Sequence, residues 1–332
     1  MSTRKRPKQL LPLAGDEPLI GETLSRALLA TPRERVRILA GAHLVEPFRE
    51  ALGGLDAATF MVEPEPRGTG PVLTWAAWRL HREDPEATLV SLHADHAIRP
   101  PEAFARLLHD AGAMAGEEDL LFTVAVPPTR PETGYGYIRP GEALEPRGSA
   151  EGFRVRSFVE KPDAPTAREY VEAGYFWNSG IFVWKASVFL DEVRTVAPEL
   201  AELLPLLEGG KEDEFFRRAP KISVDEAILE RSERVASVKA TFEWDDVGSW
   251  EALARTHPPD ADGNVLLGSV HAVDARDTIA MAEEGSVVLF DVEDLVVVRT
   301  GAMVLVARRS RTPELKSLLN TLPPELRDPD EP

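Results

Sequence analysis

The sequence predicts an α/β protein with a smaller β-rich segment at its C-terminal end. Three observations predict it. Short apolar runs alternate with amphipathic helical patterns from Ile20 to Val126, the rhythm of a sheet covered by helices. Strand-like runs dominate from Gly134 onward, with helices between and after them. Past Gly263 helical patterns stop, and five short β-type runs follow one another with turn residues between them.

Composition sets outer limits. The 332 residues suffice for one large domain plus a small one. Hydrophobic residues make up 43% and charged residues 28%, a balance that excludes disorder along the whole chain. No apolar run is long enough to span a bilayer, and the basic N-terminus lacks a following apolar stretch. A soluble, cytoplasmic protein is therefore expected. The absence of cysteine excludes a disulfide framework, a thiolate metal site and a cysteine nucleophile. Lys and Arg number 38 against 56 Asp and Glu, and the net charge of −18 argues against general nucleic-acid binding. Local basic residues can still hold a phosphorylated substrate.

The elements follow in order. Met1 to Pro12, with Arg4, Lys5, Arg6, Lys8 and two prolines, reads as loop. Ile20, Leu24, Ala27 and Leu28 mark a helix, Arg35 to Ala40 a strand, and Leu44, Phe48 and Leu52 the next helix. Thr59 to Val62 reads as a strand and Val72 to Leu80 as a helix. Ala87 to Leu92 fits a buried strand, Ala103 to Leu108 a helix, and Leu120 to Val126 a strand. This alternation implies a parallel sheet covered on both faces. An open α/β fold normally starts with a strand feeding a phosphate-binding turn, and here that strand is missing from the start of the pattern. Gly134 to Arg139, Phe153 to Glu160 and Ser179 to Trp184 read as strands, Glu199 to Leu207 and Asp225 to Ser232 as helices. The last β-runs are Val265 to Leu267, Val270 to Val273, Val287 to Phe290, Leu295 to Arg299 and Met303 to Ala307, without a clean internal repeat. Pro313 to Leu319 forms a closing helix in this reading, and the acidic, proline-bearing tail after Leu322 is expected to fray. The expected division is 1–262, 263–322 and a tail, 323–332.

Several short motifs can carry chemistry. Lys8 follows a proline and can neutralise a phosphate, or belong to a solvated basic terminus. Asp95, in His93-Ala94-Asp95-His96, follows an apolar strand at the end where open α/β sheets bind ligands. It can hold Mg²⁺ or cap a helix. Gly134-Tyr135-Gly136 lets a ligand approach the backbone, or forms a tight turn under aromatic cover. Glu160-Lys161-Pro162 ends a strand with opposite charges, as a binding pair or a surface pair. Asn178, among aromatics, can bond a sugar hydroxyl or shape a turn. Asp245 and Asp246 stand at a helix start, where they can cap it or supply a second metal ligand. No Gly-x-Ser-x-Gly, His-Glu-x-x-His or phosphate-binding Gly-x-x-x-x-Gly-Lys motif occurs.

In series these motifs are distinctive. RPKQLLPL (6–13), EPEPRGTGP (63–71), HADH (93–96), TGYGYI (133–138), FVEKP (158–162), WNSGIF (177–182), SVDEAILE (223–230) and WDDVGSW (244–250) resemble the mannose-1-phosphate guanylyltransferases, a branch of the sugar-1-phosphate nucleotidyltransferases. The resemblance covers the chain from Arg6 to about Lys316. It implies a Rossmann-like nucleotidyltransferase sheet, apparently lacking its first strand and Gly-rich loop, plus a small C-terminal β domain. It implies transfer of GMP from GTP to mannose 1-phosphate, with Mg²⁺ as cofactor and a homodimer compatible with the reading. Lys8 would face the nucleotide's phosphates, and Asp95 and Asp246 would bind the metal. Glu160 and Asn178 would hold sugar hydroxyls, Lys161 the sugar phosphate, and Gly134, Tyr135 and Gly136 would border the sugar. Arg67 and Thr69 would lie close to the base, although Arg67-Gly68-Thr69-Gly70 departs from the family's Arg-Asn-Thr-Ala. The family's opening strand and Gly-Gly-x-Gly turn would precede Lys8, so residues 1–332 alone are expected to have little or no guanylyltransferase activity. A non-catalytic or truncated relative, or a transferase for another sugar or base, fits the same motifs.

Overall fold

The computed structural model describes residues 7–323 apart from 302 and 320, so the expectations at Arg4 to Arg6 and for the tail from 324 lie outside the described residues. Contacts divide the chain into two compact units. One comprises Thr23–His93 and Ile98–Trp244, the other Met1–Glu22, Ala94–Ala97 and Asp245–Pro332. The strands in chain order are β1 (Ile38–Gly41), β2 (Phe60–Glu63), β3 (Thr88–Ser91), β4 (Ala97–Arg99), β5 (Leu121–Val126), β6 (Tyr137–Ala143), β7 (Gly152–Val159), β8 (Phe176–Lys185), β9 (Val235–Lys239), β10 (Glu243–Asp245), β11 (Val265–Arg276), β12 (Ile279–Glu293), β13 (Leu295–Thr300) and β14 (Met303–Arg308).

The larger unit centres on a six-stranded sheet of order β3-β8-β5-β9-β7-β6. β5 lies inside it, and all six of its residues are buried. Alternate side chains of a strand point to opposite faces. Leu121 accordingly joins the core with Trp75, Trp184, Phe189, Phe215 and Phe216, which includes the helices Thr69–Glu83 and Ala186–Val196. Phe122 and Val124 join the opposite core with Phe104, Leu107 and Leu108 of the helix Pro101–Glu117. A strand apolar on both faces and helices on either side of it are what the alternating pattern predicts.

The expected parallel sheet is corrected. Only β5 and β9 run parallel in it, whereas β3–β8, β5–β8, β6–β7, β6–β8 and β7–β9 are antiparallel. An apolar run reports burial, and the connection decides direction: β6 and β7 are joined without a crossover helix, which makes them antiparallel. β1 and β2 form a separate parallel ladder, Ile38 opposite Phe60. β3, expected to be buried, is an edge strand with Val90 41% exposed. The expected helix from Asp225 is a five-residue π-turn, Asp225–Leu229, entered through a reciprocal cap between Ser223 and Glu226.

In the other unit β11, β12 and β13 stack in parallel, and β14 returns antiparallel. Val265, Ile279, Met281, Val296 and Val298 point into a core shared with Leu11, Leu13, Leu19, Val247 and Leu253. The repeat that apolar spacing does not reveal is a coil of stacked rungs. Asp274-Ala-Arg-Asp277 recurs as Asp291-Val-Glu-Asp294, and all four aspartates adopt left-handed φ values of 47 to 54°. Asp tolerates that conformation, so it can turn each rung. The first half of β12 is hidden in the sequence because Glu283-Glu284-Gly285 interrupts its apolar pattern.

Candidate active site

Lys8 opens a 3-10 turn, Lys8–Leu10, behind Pro7, and buried Leu11 pins that turn to its unit's core. The Lys8 ammonium donates to Asp95 Oδ2 at 3.1 Å and to the backbone oxygen of Asp246 at 2.5 Å. Both side chains of the Lys8–Asp95 pair are about three-quarters shielded, so their attraction is screened less than that of a surface pair. The structure thus brings Lys8, Asp95 and Asp246 together within one unit.

The two adjacent aspartates have different duties. Asp245 is buried and takes a fork of two bonds from Arg255, at 2.6 and 3.2 Å, plus one from the Val247 amide. Asp246 is half-buried, and its carboxylate accepts from the Gly248 amide at 2.9 Å. Between them and the glycine, Val247 holds φ at +49°, which a β-branched residue adopts only under constraint. The Asp245–Arg255 fork and the buried Val247 side chain supply that constraint. The Lys8 ammonium thus meets a carboxylate oxygen of Asp95 and a backbone oxygen of Asp246, while the Asp246 carboxylate is turned to the Gly248 amide; these are hard oxygen atoms of the kind a small divalent ion binds.

The second group of residues lies in the larger unit. Asn178 N donates to Gly136 O at 2.8 Å, and Lys161 N donates to Tyr135 O at 3.2 Å. Lys161 Nζ donates to Glu160 Oε1 at 2.6 Å, and Glu160 Oε2 lies 2.6 Å from where a Cβ on Gly136 would stand. Gly136, Glu160, Lys161 and Asn178 therefore form one wall. Glu160 holds the lysine's proton more firmly than usual and raises its pKa, yet the Lys161 side chain remains 63% exposed and open to a ligand. Lys161 itself has φ +47°, a second strained residue at the end of a strand. The Tyr135 ring packs edge-on against Trp177 and Trp244, so it shapes the wall rather than reaching out of it. Gly134 is exposed, with its amide bonded to Glu132.

Two further residues belong to this wall, neither of them singled out by the motifs. Buried Thr123 donates to Asn178 Oδ1 at 2.6 Å, and Asn178 Nδ2 donates to Asp225 Oδ1 at 2.9 Å. Burial, and after it the Glu160 carboxylate, pushes the Asp225 pKa up to about 7. The signals in the sequence are a lone hydroxyl inside the apolar run Leu121-Phe-Thr-Val-Ala-Val126 and an acid inside the Ser-x-x-Glu cap of SVDEAILE.

Arg67 and Thr69 lie elsewhere in the larger unit and are engaged with the protein. Arg67 Nη2 donates to Glu65 at 2.6 Å and to Arg217 O at 3.0 Å, while Thr69 Oγ1 accepts from the Val224 amide at 2.9 Å. Their segment is tied to the stretch of chain that leads into Asp225: Ile222 N donates to Arg67 O, and Gly70 N to Ile222 O.

Comparison with known proteins decides the family. Residues 2–263 match the family described as nucleotidyl transferase, and residues 268–322 match a mannose-phosphate isomerase/GMP-like β-helix domain. The chain belongs to the nucleotidyl transferase family. This nucleotidyl transferase is 34% identical to the alginate biosynthesis protein AlgA of Pseudomonas aeruginosa, over 97% of its own length and 69% of that protein's. It is also 34% identical to a mannose-1-phosphate guanylyltransferase of Salmonella montevideo, over 95% of this chain and 69% of that one. A crystal structure described as mannose-1-phosphate geranyltransferase from Thermus thermophilus superposes with a TM-score of 0.86 at 33% identity, covering 96% of this chain and 93% of that one. The Rossmann-like core with a C-terminal β-helix is thereby established, and the stacked coil of β11 to β13 is that β-helix. Among the described residues no helix is long and apolar enough to cross a membrane.

Proposed function

We propose that this nucleotidyl transferase joins GTP and mannose 1-phosphate into GDP-mannose and pyrophosphate. A phosphate oxygen of mannose 1-phosphate attacks the α-phosphorus of GTP, and the bond from that phosphorus to the bridging oxygen breaks. Such a displacement needs alignment and charge neutralisation rather than a covalent nucleophile. The observation that carries the reading is the wall where Gly136, Glu160, Lys161 and Asn178 meet. It offers a carboxylate and amide for hydroxyls, and an exposed ammonium for a phosphate. The names of the relatives, among them the mannose-1-phosphate guanylyltransferase of Salmonella montevideo, support the same substrates.

Each group takes a role in this reading. Glu160 and Asn178 orient the sugar, Lys161 holds its phosphate, and the Gly134 to Gly136 backbone borders the ring. Arg67 and Thr69 belong to the segment assigned to the base. Lys8 neutralises the nucleotide's phosphates. Asp95 and Asp246 would hold Mg²⁺, which when bound withdraws charge from phosphate oxygens. We assign this chemistry to residues 1–262 and treat 263–322 as the accompanying β domain.

Calorimetry tests the sugar half. Lys161→Ala should weaken mannose 1-phosphate binding by roughly 1.5–3 kcal/mol, the scale of a charge-assisted hydrogen bond. Unchanged affinity would make Lys161 a surface charge and remove the phosphate contact from the reading.

A further inference from the structure

Asn178 cannot turn its amide freely. Thr123 donates to its oxygen, the Gly180 amide approaches the same oxygen at 3.3 Å, and its nitrogen donates to Asp225. The orientation of Asn178 therefore depends on an acceptor being present at Asp225. That acceptor lies beside Glu160, and Lys161 is bonded to Glu160 and feels the charges of both Asp225 and Glu226. From β7's end Glu160 and Lys161 face Asp225, from β8 Asn178 does, and on its own turn Glu226 is the neighbouring charge. With every carboxylate ionised, one lysine stands against three, Glu160, Asp225 and Glu226. A phosphate dianion entering such a pocket meets net negative charge.

We propose that Asp225 is a positioning residue for the sugar phosphate, fixing Asn178 through Nδ2, and that it is a neutral acid when the ligand is bound. As a carboxylic acid it keeps one oxygen as acceptor for Asn178 and no longer sets a second negative charge beside Glu160. One proton from solvent then accompanies each ligand, and the wall carries one negative charge fewer against its ammonium. The raised pKa of Asp225, about 7, supports this, because the proton is then available near neutrality. The inference rests on the sugar-phosphate reading above.

The test is calorimetry of mannose 1-phosphate binding at pH 6 and pH 8, in buffers of different ionisation enthalpy, with the wild type and Asp225→Asn. The asparagine keeps an acceptor for Asn178 and cannot ionise. A binding-competent fraction governed by a pKa near 7 makes the wild-type Kd about tenfold weaker than that of Asp225→Asn at pH 8 and nearly equal at pH 6. The wild type should also take up about one proton per ligand at pH 8 that the variant does not. Protonation of the ligand itself is common to both proteins and cancels. Asp225→Ala, lacking the acceptor, should bind more weakly at both pH values. A stability series closes the argument without ligand. Because the folded-state pKa is raised from 3.8 to about 7, the wild type should lose stability relative to Asp225→Asn as pH rises from about 4 to 7, then run parallel to it. No binding by the wild type at either pH contradicts the sugar-phosphate reading itself. Binding with the same pH dependence in wild type and Asp225→Asn, or a flat stability difference, overturns the inference alone.

Discussion

Gly136 shows how one missing carbon shapes the sugar wall. A Cβ there would lie 2.6 Å from Glu160 Oε2 and 3.1 Å from the Phe158 ring. The flexible end of Glu160 is what would yield, so Gly136→Ala should displace the carboxylate while leaving the fold nearly intact. We expect KM for mannose 1-phosphate to rise about tenfold, the loss of about one hydrogen bond, with Tm little changed. A large fall in Tm with unchanged KM would show that Gly136 serves packing alone. Thr123→Val tests the other end of the wall. It keeps the shape and removes the hydroxyl from Asn178 Oδ1, which should cost about 1–3 kcal/mol in denaturant unfolding. Candidate residues at this scale are legible where polar residues sit in glycine- and aromatic-bearing motifs, as at Glu160, Lys161 and Asn178, which the structure brings to one wall. Thr123 and Asp225 are not legible in this way, because each acquires its role from a residue on a different element, 55 and 47 positions away.

Elements hold one another in ways that single motifs do not reveal. The Arg67 to Gly70 loop and the Ile222 to Val224 segment exchange backbone bonds, and Gly68 sits between them at φ +86°, 2.6 Å from the Ile222 carbonyl at its missing Cβ. Here both sides of the close approach are backbone, and neither can step aside. Gly68→Ala should lower stability by more than about 1 kcal/mol, read as a shift in Tm. A neutral substitution would mean that the loop is not anchored on Ile222. The positions of most helices and strands were readable from apolar spacing. Strand direction was not, since β6 and β7 carry the same apolar signature whichever way they run. The β-helix was hidden because its rungs share turn aspartates more than apolar residues, and a register shift between Gly268 and Val270 breaks the period.

For the whole molecule, charge and chain topology matter most. A net charge of −18 repels itself, and salt shortens the reach of that repulsion from about 30 Å at 0.01 M to about 8 Å at 0.15 M. Tm should therefore rise over this range, and a fall would show that attractive pairs outweigh the excess acid. Lys8 meets Asp95 and Asp246 across sequence separations of 87 and 238, so their meeting could be implied by resemblance but never by spacing. The most direct measurement of the proposed chemistry is product identity. The protein at high concentration, with Mg²⁺ and equal amounts of GTP, ATP and UTP, is given mannose 1-phosphate or glucose 1-phosphate, and nucleotide sugars are separated by chromatography. GDP-mannose should be the main product, and Asp95→Asn should abolish it. Another nucleotide sugar as the main product, or no GDP-mannose above the Asp95→Asn background, would contradict the assignment.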